Sequence, residues 1–375
     1  MTTQDIADPG PASSPSTADS AVQRLRAWPL KRRCETIARF WGLHWSAIQL
    51  VILRDHGGDD LARFKYQILR THQRSHFLEG VDKLGIDRSL PPAVIAGRYH
   101  YFSNAIGGLT MEYIEESPRK VWIRYLPPAW SFPGQSLFAV PPAVERAMFA
   151  GWHPFNGESL GCLRLGFVVT KVYQEGEPYD EGYFQEFERD LAPDERLRFQ
   201  PVTASPDFDP ERAPNLDPAA WPEDRLTKAR RNFALGYVQD AVATAVSIYG
   251  HNHAAELIAS AARLVAIQFL GEFKAAFGVV GAGARDLVDL VACLGELASE
   301  SIKVETAGPG RFALRRQNRV LTPGAYPETV ARALGAFIAT GARVLSPRVG
   351  AVLREVDSAT GLEVWTIEDS ADRLF

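Results

Sequence analysis

Cys162 is the residue whose chemistry is easiest to name in this 375-residue chain. It stands just before a predicted strand, and extended backbone there would place Cys162 and Arg164 on the same side. A neighbouring cation lowers the pKa of a thiol and favours the nucleophilic thiolate. Two plainer interpretations stay open. An isolated cysteine is usually a small buried residue, and Arg348 occupies the matching place in the second half of the chain, which favours a structural role for the arginine.

The segment Trp152 to Glu158 is the second candidate, because it follows a predicted helix and mixes aromatic with titratable side chains. His153 titrates near neutral pH and is suited to general acid–base catalysis. We therefore predict Cys162, His153 and Glu158 as catalytic residues, with Arg164 and Trp152 binding the substrate. The alternative is an aromatic loop that only closes the core.

Histidine and tryptophan are concentrated in the first half, which favours a binding pocket there or between the halves. We add His100, Tyr101 and Trp41 to the predicted substrate-binding residues. His72 and His76 are one helical turn apart, a spacing that can bind a metal, but the sequence indicates no third ligand. We therefore predict no metal and no cofactor.

Three acidic residues alternate with other types near the end of the last predicted strand of the first half, namely Glu186, Glu188 and Asp190. If Val169 pairs with Phe187, these acids share a face with Cys162 and could supply a general base. Such a face is also typical of the solvated side of a half-buried sheet.

The elements that must position these residues occur twice. Weak matches run in the same order through both halves: Phe77-Leu78 with Phe269-Leu270, the turn at Pro118 with that at Pro309, Pro133-Gly134 with Pro323-Gly324, Val144 with Val330, Arg164 with Arg348, and Asp190 with Asp369. We interpret them as an internal duplication. The predicted organisation is a disordered tail (1–22), a first repeat (23–191), a proline-rich linker (192–225) and a second repeat (226–375).

Each repeat is predicted to have helices first, then a hairpin, a helix and a closing hairpin. In the first repeat the helices cover 40–53, 60–80, 92–106 and 142–152, and the hairpins cover 110–125 and 163–189. In the second, a helix over 233–249 ends at a break at Gly250, further helices cover 254–277, 285–298 and 327–342, and the hairpins cover 301–316 and 349–368. The predicted class is α+β, with the repeats packed as a pseudo-two-fold dimer.

This element order, with a single cysteine, Cys162, on the approach to the last hairpin of the first repeat, resembles the ligand-binding superfamily of 4-vinyl reductase-type domains and L-2-amino-thiazoline-4-carboxylate hydrolases. The resemblance implies an α+β unit whose sheet and helices enclose a small-molecule pocket. In the hydrolase branch it also implies cleavage of carbon–nitrogen bonds in a small ring. Hydrolase-branch sequences are richer in cysteine in this region than this chain.

Composition narrows the function class. A net charge of −4 with 46% hydrophobic residues does not favour nucleic-acid binding. The same composition is compatible with binding a small molecule. Three cysteines without metal spacing, and no long apolar opening segment, favour the reducing cytoplasm and no membrane partner. We predict a cytoplasmic hydrolase or lyase acting on a small organic molecule, able to form a homo-oligomer. The alternative is a non-catalytic small-molecule-binding or sensory module.

Overall fold

Helices and antiparallel strands alternate along the chain in the order predicted for each half. The computed structural model describes residues 17–127, 140–202, 204–318 and 320–374. The elements of the first half are α1 (Thr17–Arg26), α2 (Leu30–His56), α3 (Gly58–Lys83), α4 (Pro92–Gly107), β1 (Thr110–Ser117), β2 (Lys120–Leu126), α5 (Pro142–Trp152), α6 (Asn156–Ser159), β3 (Leu165–Lys171), β4 (Asp180–Glu186) and β5 (Leu197–Phe199). Those of the second half are α7 (Glu223–Ala276), α8 (Ala284–Ala298), β6 (Ile302–Gly308), β7 (Arg311–Gln317), α9 (Glu328–Ala333), α10 (Ala336–Leu345), β8 (Val349–Asp357) and β9 (Leu362–Asp369).

The α+β class is confirmed by two separate sheets. The first has the strand order β1-β2-β4-β3-β5, and the second has the order β6-β7-β9-β8. Apart from β5, which pairs parallel to β3, neighbouring strands are antiparallel. Each half therefore builds its sheet from two hairpins joined by a helical segment.

The two sheets also agree in detail. The pairing of β1 with β2 is interrupted between Glu115 and Ser117, and that of β6 with β7 between Thr306 and Gly308. The side-chain carboxylate of Glu186, at the end of β4, accepts a hydrogen bond from the Ala93 N–H in the first turn of α4. The carboxylate of Asp369, at the end of β9, likewise accepts one from the Ala284 N–H in the first turn of α8. A duplicated unit would have these features, while common descent and two-fold packing of the halves stay predictions. The matched Pro133-Gly134 lies outside the described residues.

One hydrophobic core joins the two halves, because α2 packs along α7 and both contribute buried residues to the same cluster. A second cluster lies between α4 and the first sheet, and includes Ala93, Val121, Phe167 and Phe184. Both long helical pairs turn at a glycine in the left-handed region, Gly57 (φ 86°) between α2 and α3 and Gly250 (φ 75°) inside α7. The predicted break at Gly250 is confirmed.

The predicted domain boundaries need two corrections. The tail was predicted to run to residue 22, but α1 begins at Thr17, and Ala21 and Leu25 are buried. The proline-rich segment was predicted as a connector only, but β5 within it extends the first sheet, with the Phe167 N–H donating to the Arg196 carbonyl at 2.8 Å. β5 is only three residues long and lies between Pro193 and Pro201, so it is too short to show an alternating pattern in the sequence.

The predicted acidic face also needs correction. Val169 pairs with Gly182 rather than Phe187, and β4 ends at Glu186. Glu188 lies beyond the strand with its side chain 89% exposed. The register of this hairpin is set by where the strands end around its turn, here Lys171 of β3 and Asp180 of β4, and a single sequence does not mark those ends.

One described helix, α7, is long and apolar enough by length and composition to cross a membrane. A core helix passes the same test, and α7 supplies many buried residues to the shared core.

Candidate functional site

A cavity of about 130 Å³ lies where α3, α4, α5 and the first sheet meet α7. We call it the inner cavity. Its aromatic walls are Trp45, Tyr99, Tyr125, Phe149, Trp152, Phe233 and Tyr237, and its titratable side chains are Lys65, His72, His100, Glu145, His153 and Asp180. An apolar cavity of about 150 Å³ accommodates one benzene ring, so this space suits a ligand of about one ring. Phe233 and Tyr237 come from the second half, so the halves share the cavity.

Three of the residues predicted from the sequence line this cavity: His100, Trp152 and His153. His100 is placed by α4, and Trp152 ends α5, so that His153 begins the short 3-10 helix that follows. The rings of His100 and His153 stack with their centroids 4.4 Å apart. The structure therefore brings together residues that are more than 50 positions apart in the sequence.

The other five predicted residues lie elsewhere. Trp41 is buried in the shared core, and Tyr101 packs against Tyr113. Cys162 is half-buried beside the second core cluster, with its N–H donating to the Gly157 carbonyl. The lining of the inner cavity includes none of Trp41, Tyr101 and Cys162.

The two charged residues among those five lie at the surface. Arg164 is exposed, and its carbonyl accepts a hydrogen bond from Phe187. The Glu158 side chain is 55% exposed and forms an ion pair with Arg196 at 3.3 Å. Catalytic roles for Cys162 and Glu158 stay predictions that the inner cavity does not support.

A chain of hydrogen bonds fixes the histidines of the cavity. His153 Nδ1 lies 3.3 Å from the Phe149 carbonyl, which can only accept, so Nδ1 carries the proton and Nε2 is the acceptor. The Tyr125 hydroxyl lies 3.0 Å from that Nε2 and donates to it, while accepting from His100 Nδ1 at 3.2 Å. Asn156 Nδ2 then donates to His100 Nε2 at 2.9 Å. Both imidazoles are thereby held as neutral rings in one tautomer.

Burial also favours the neutral form of these side chains. It lowers the pKa of His153 to about 3, and it lowers the pKa of His100 well below its ordinary value, with the neighbouring His153 adding to the effect. Burial also raises the pKa of Tyr125 well above its ordinary value, with Asp180 and Tyr237 adding to it. The three groups are therefore neutral polar contacts at pH 7.

We expect Tyr125→Phe to destabilise the protein by about 1–3 kcal/mol, because it leaves a buried His100 donor and a buried His153 acceptor without their shared partner. Urea unfolding at pH 7 measures the change. Tyr173→Phe, which removes the hydroxyl of a tyrosine that is 38% exposed, is the matched control. Equal unfolding free energies for the two variants would contradict the hydrogen-bond chain.

Lys65 is the least expected residue of the cavity, since its side chain is almost wholly buried on α3. Its ammonium group lies 4.7 Å from the centroid of the Trp45 ring, a cation–π contact. Burial lowers the pKa of Lys65 to about 7, although the nearby Glu145 opposes the shift. A substantial fraction of Lys65 is therefore the neutral amine at pH 7, which can act as a base or a nucleophile.

Glu145 and Asp180 form a buried carboxyl pair that lines the same cavity as that amine. Burial raises the pKa of Glu145 well above its ordinary value, and hydrogen bonding to Asp180 and its charge raise it further. Backbone donors hold the pair, with Tyr173 N–H on Asp180 at 2.7 Å and Gln174 N–H on Glu145 at 3.2 Å. Two carboxyls so close share one proton, and we assign it to Glu145 at pH 7.

His72 and Asp240 form a further polar contact at the wall of the cavity. His72 Nδ1 lies 2.6 Å from Asp240 Oδ2, and the His72 ring stacks on Tyr237 with centroids 5.3 Å apart. The carboxylate fixes the orientation of the imidazole, as in many catalytic and metal-binding histidines.

Among the described residues, the cavity wall includes a buried donor that has no hydrogen-bond partner. The Trp152 indole N–H is buried and makes no hydrogen bond to the described residues. Most buried polar groups in proteins are paired, so such a donor is a place for an acceptor atom of a ligand.

The sequence contains a signal for Lys65 and Glu145, which were not among the predicted site residues. Lys65 stands among Leu61, Phe64, Ile68 and Leu69 on the buried stripe of α3, and Glu145 stands on the buried stripe of α5. A charged residue on the apolar face of a helix is rarely buried without a partner. That observation could have identified both residues before the structure was known.

The fold and the cavity define the class of this protein: an α+β protein whose two halves share a ring-sized cavity lined by aromatic and titratable side chains. No family model, no curated protein and no solved structure matches the chain.

Proposed function

We propose that this protein is an enzyme that holds one ring-sized organic molecule in the inner cavity and cleaves it by hydrolysis or elimination. The observation that carries the proposal is that a buried amine, Lys65, and a buried carboxyl pair, Glu145 and Asp180, face the same small cavity. Groups whose pKa values are driven toward or past neutrality by burial are typical of acid–base catalysis.

The roles follow from the protonation states. Lys65, as the neutral amine, takes a proton from the substrate in an elimination, or from the attacking water in a hydrolysis. Glu145 gives its proton to the departing group, and the Lys65 ammonium then returns a proton to the carboxylate pair. The aromatic walls position the ring, and Tyr125 and the two histidines present fixed neutral hydrogen-bonding groups.

The resemblance to the superfamily that includes the L-2-amino-thiazoline-4-carboxylate hydrolases supports a small ring as the substrate class. A cavity of about 130 Å³ is compatible with that size. An origin by duplication and a location in the cytoplasm belong to the same proposal.

One observation favours the alternative, a small-molecule-binding or sensory module. The chain from Asn156 through His100 and Tyr125 to His153 satisfies both imidazoles internally, which suits a rigid binding wall rather than a site of proton transfer. Lys65 and Glu145 would then only tune the polarity of the pocket.

Native mass spectrometry of the purified protein should detect a retained molecule of about one ring, and incubation with that molecule should yield a cleaved product. Cys162→Ala should keep this turnover, because Cys162 does not line the cavity. Release of the molecule unchanged would favour the binding module. Loss of turnover in a folded Cys162→Ala variant would instead favour thiol chemistry.

A further inference from the structure

Two helices from different halves bring three metal-ligating side chains together. His72 and His76 lie one turn apart on α3, and Asp240 lies on α7. One ligand atom of each lies within 4.8 Å of the ligand atoms of the other two. The sequence indicated only the histidine pair, because the third ligand is 164 positions beyond His76 in the chain.

The surroundings hold two of these three groups in place. The His72 ring packs against both Tyr237 and Trp152, with centroid distances of 5.3 and 5.4 Å. Asp240 is fixed by its contact with His72 at 2.6 Å. The His76 side chain is 48% exposed and can rotate to close the site.

We propose that His72, His76 and Asp240 bind a divalent transition-metal ion of the Zn²⁺ class. Two imidazoles and one carboxylate are a ligand set that zinc accepts in catalytic sites, where the fourth position is left for water or substrate. Because His72 also lines the inner cavity, the open position of the ion would lie near its wall.

The geometry requires only small adjustments. Tetrahedral ligands about 2.1 Å from zinc lie roughly 3.4 Å from one another. The contact of His72 with Asp240 would therefore lengthen, and His76 would move inward.

The proposal does not depend on the proposed function. Metal binding involves none of Lys65, Glu145 and Asp180, and it is measured without substrate. Failure of the metal proposal would leave the acid–base proposal standing, and the converse also holds.

The test is equilibrium dialysis of the chelator-treated full chain with Zn²⁺, followed by metal analysis. Wild type should bind one Zn²⁺ per chain more than His76→Ala or Asp240→Asn, each of which should weaken binding at this site at least about 10-fold. His251→Ala removes an exposed histidine outside the cluster and should bind like wild type. Co²⁺ should give a visible absorption band in wild type and His251→Ala alone.

Circular dichroism checks that each variant is folded, and His76→Gln replaces His76→Ala if the latter unfolds. No Zn²⁺ bound by wild type would overturn the proposal, as would equal binding by wild type, His76→Ala and Asp240→Asn.

Discussion

Lys65→Met should reduce turnover by about 10²–10⁴-fold while the protein stays folded, because the methionine fills a similar volume but carries no proton-accepting amine. Burial lowers the pKa of Lys65 to about 7 in the folded protein, whereas an exposed lysine in the unfolded chain titrates near about 10.4. Between these two pKa values Lys65 carries more protons in the unfolded chain than in the folded protein. The free energy of unfolding of wild type therefore increases with pH over this range. The free energy of unfolding of Lys65→Met should not show this increase.

Two measurements test this result: steady-state turnover at pH 7, and urea unfolding between pH 7 and pH 10. Lys83→Met, on the same helix with its side chain 62% exposed, is the matched control. It should keep both the turnover and the pH dependence of wild type. If Lys65→Met and wild type turn over substrate equally fast, Lys65 is not the base.

Glu145→Gln should become more stable relative to wild type as the pH rises above about 4.3, the ordinary pKa of a glutamate. In the folded protein the pKa of Glu145 is raised by burial and by Asp180, so its proton is retained above that pH. The unfolded chain releases the same proton, so this carboxyl costs wild type at most about 1.4 kcal/mol for each pH unit until its folded pKa is reached. Glutamine has nearly the same shape as the protonated carboxyl and does not titrate, so the stability of Glu145→Gln does not fall with pH in this way.

Urea unfolding of both proteins at pH 5, 6, 7 and 8 measures the difference. Glu355→Gln, an exposed change on β8, is the control and should run parallel to wild type. Glu145→Gln should also lose turnover, because the amide cannot give a proton to the departing group. Parallel pH profiles for wild type and Glu145→Gln would show that Glu145 ionises normally, and that the pair holds no shared proton.

Together these results separate the two candidate functions. An enzyme requires both variants to lose turnover while remaining folded. A binding module would allow Lys65→Met and Glu145→Gln to change ligand affinity and stability, with no product formed by any variant.

Local patterns predicted the elements closely. The hairpin predicted at 110–125 is β1 and β2, and the helix predicted at 142–152 is α5. Apolar periodicity, proline at helix starts and glycine at turns are local signals. They lie within or next to the residues that form each helix or strand, so a single sequence is enough to predict the element. The helix predicted over 327–342 is instead two helices, α9 and α10, separated near Gly335, where a side chain would clash with Trp365.

The sequence by itself therefore determined the α+β class, the order of the elements and a half of the chain rich in histidine and tryptophan. It also indicated His100, Trp152 and His153, which do meet at the inner cavity. Only the tertiary structure decided that Lys65, Glu145 and Asp180 meet there, that Cys162 and Glu158 do not line the cavity, and that Asp240 joins His72 and His76. The physical reason is that a helix or strand forms from neighbours in sequence, whereas a site forms where α3, α5, α7 and the sheet pack together.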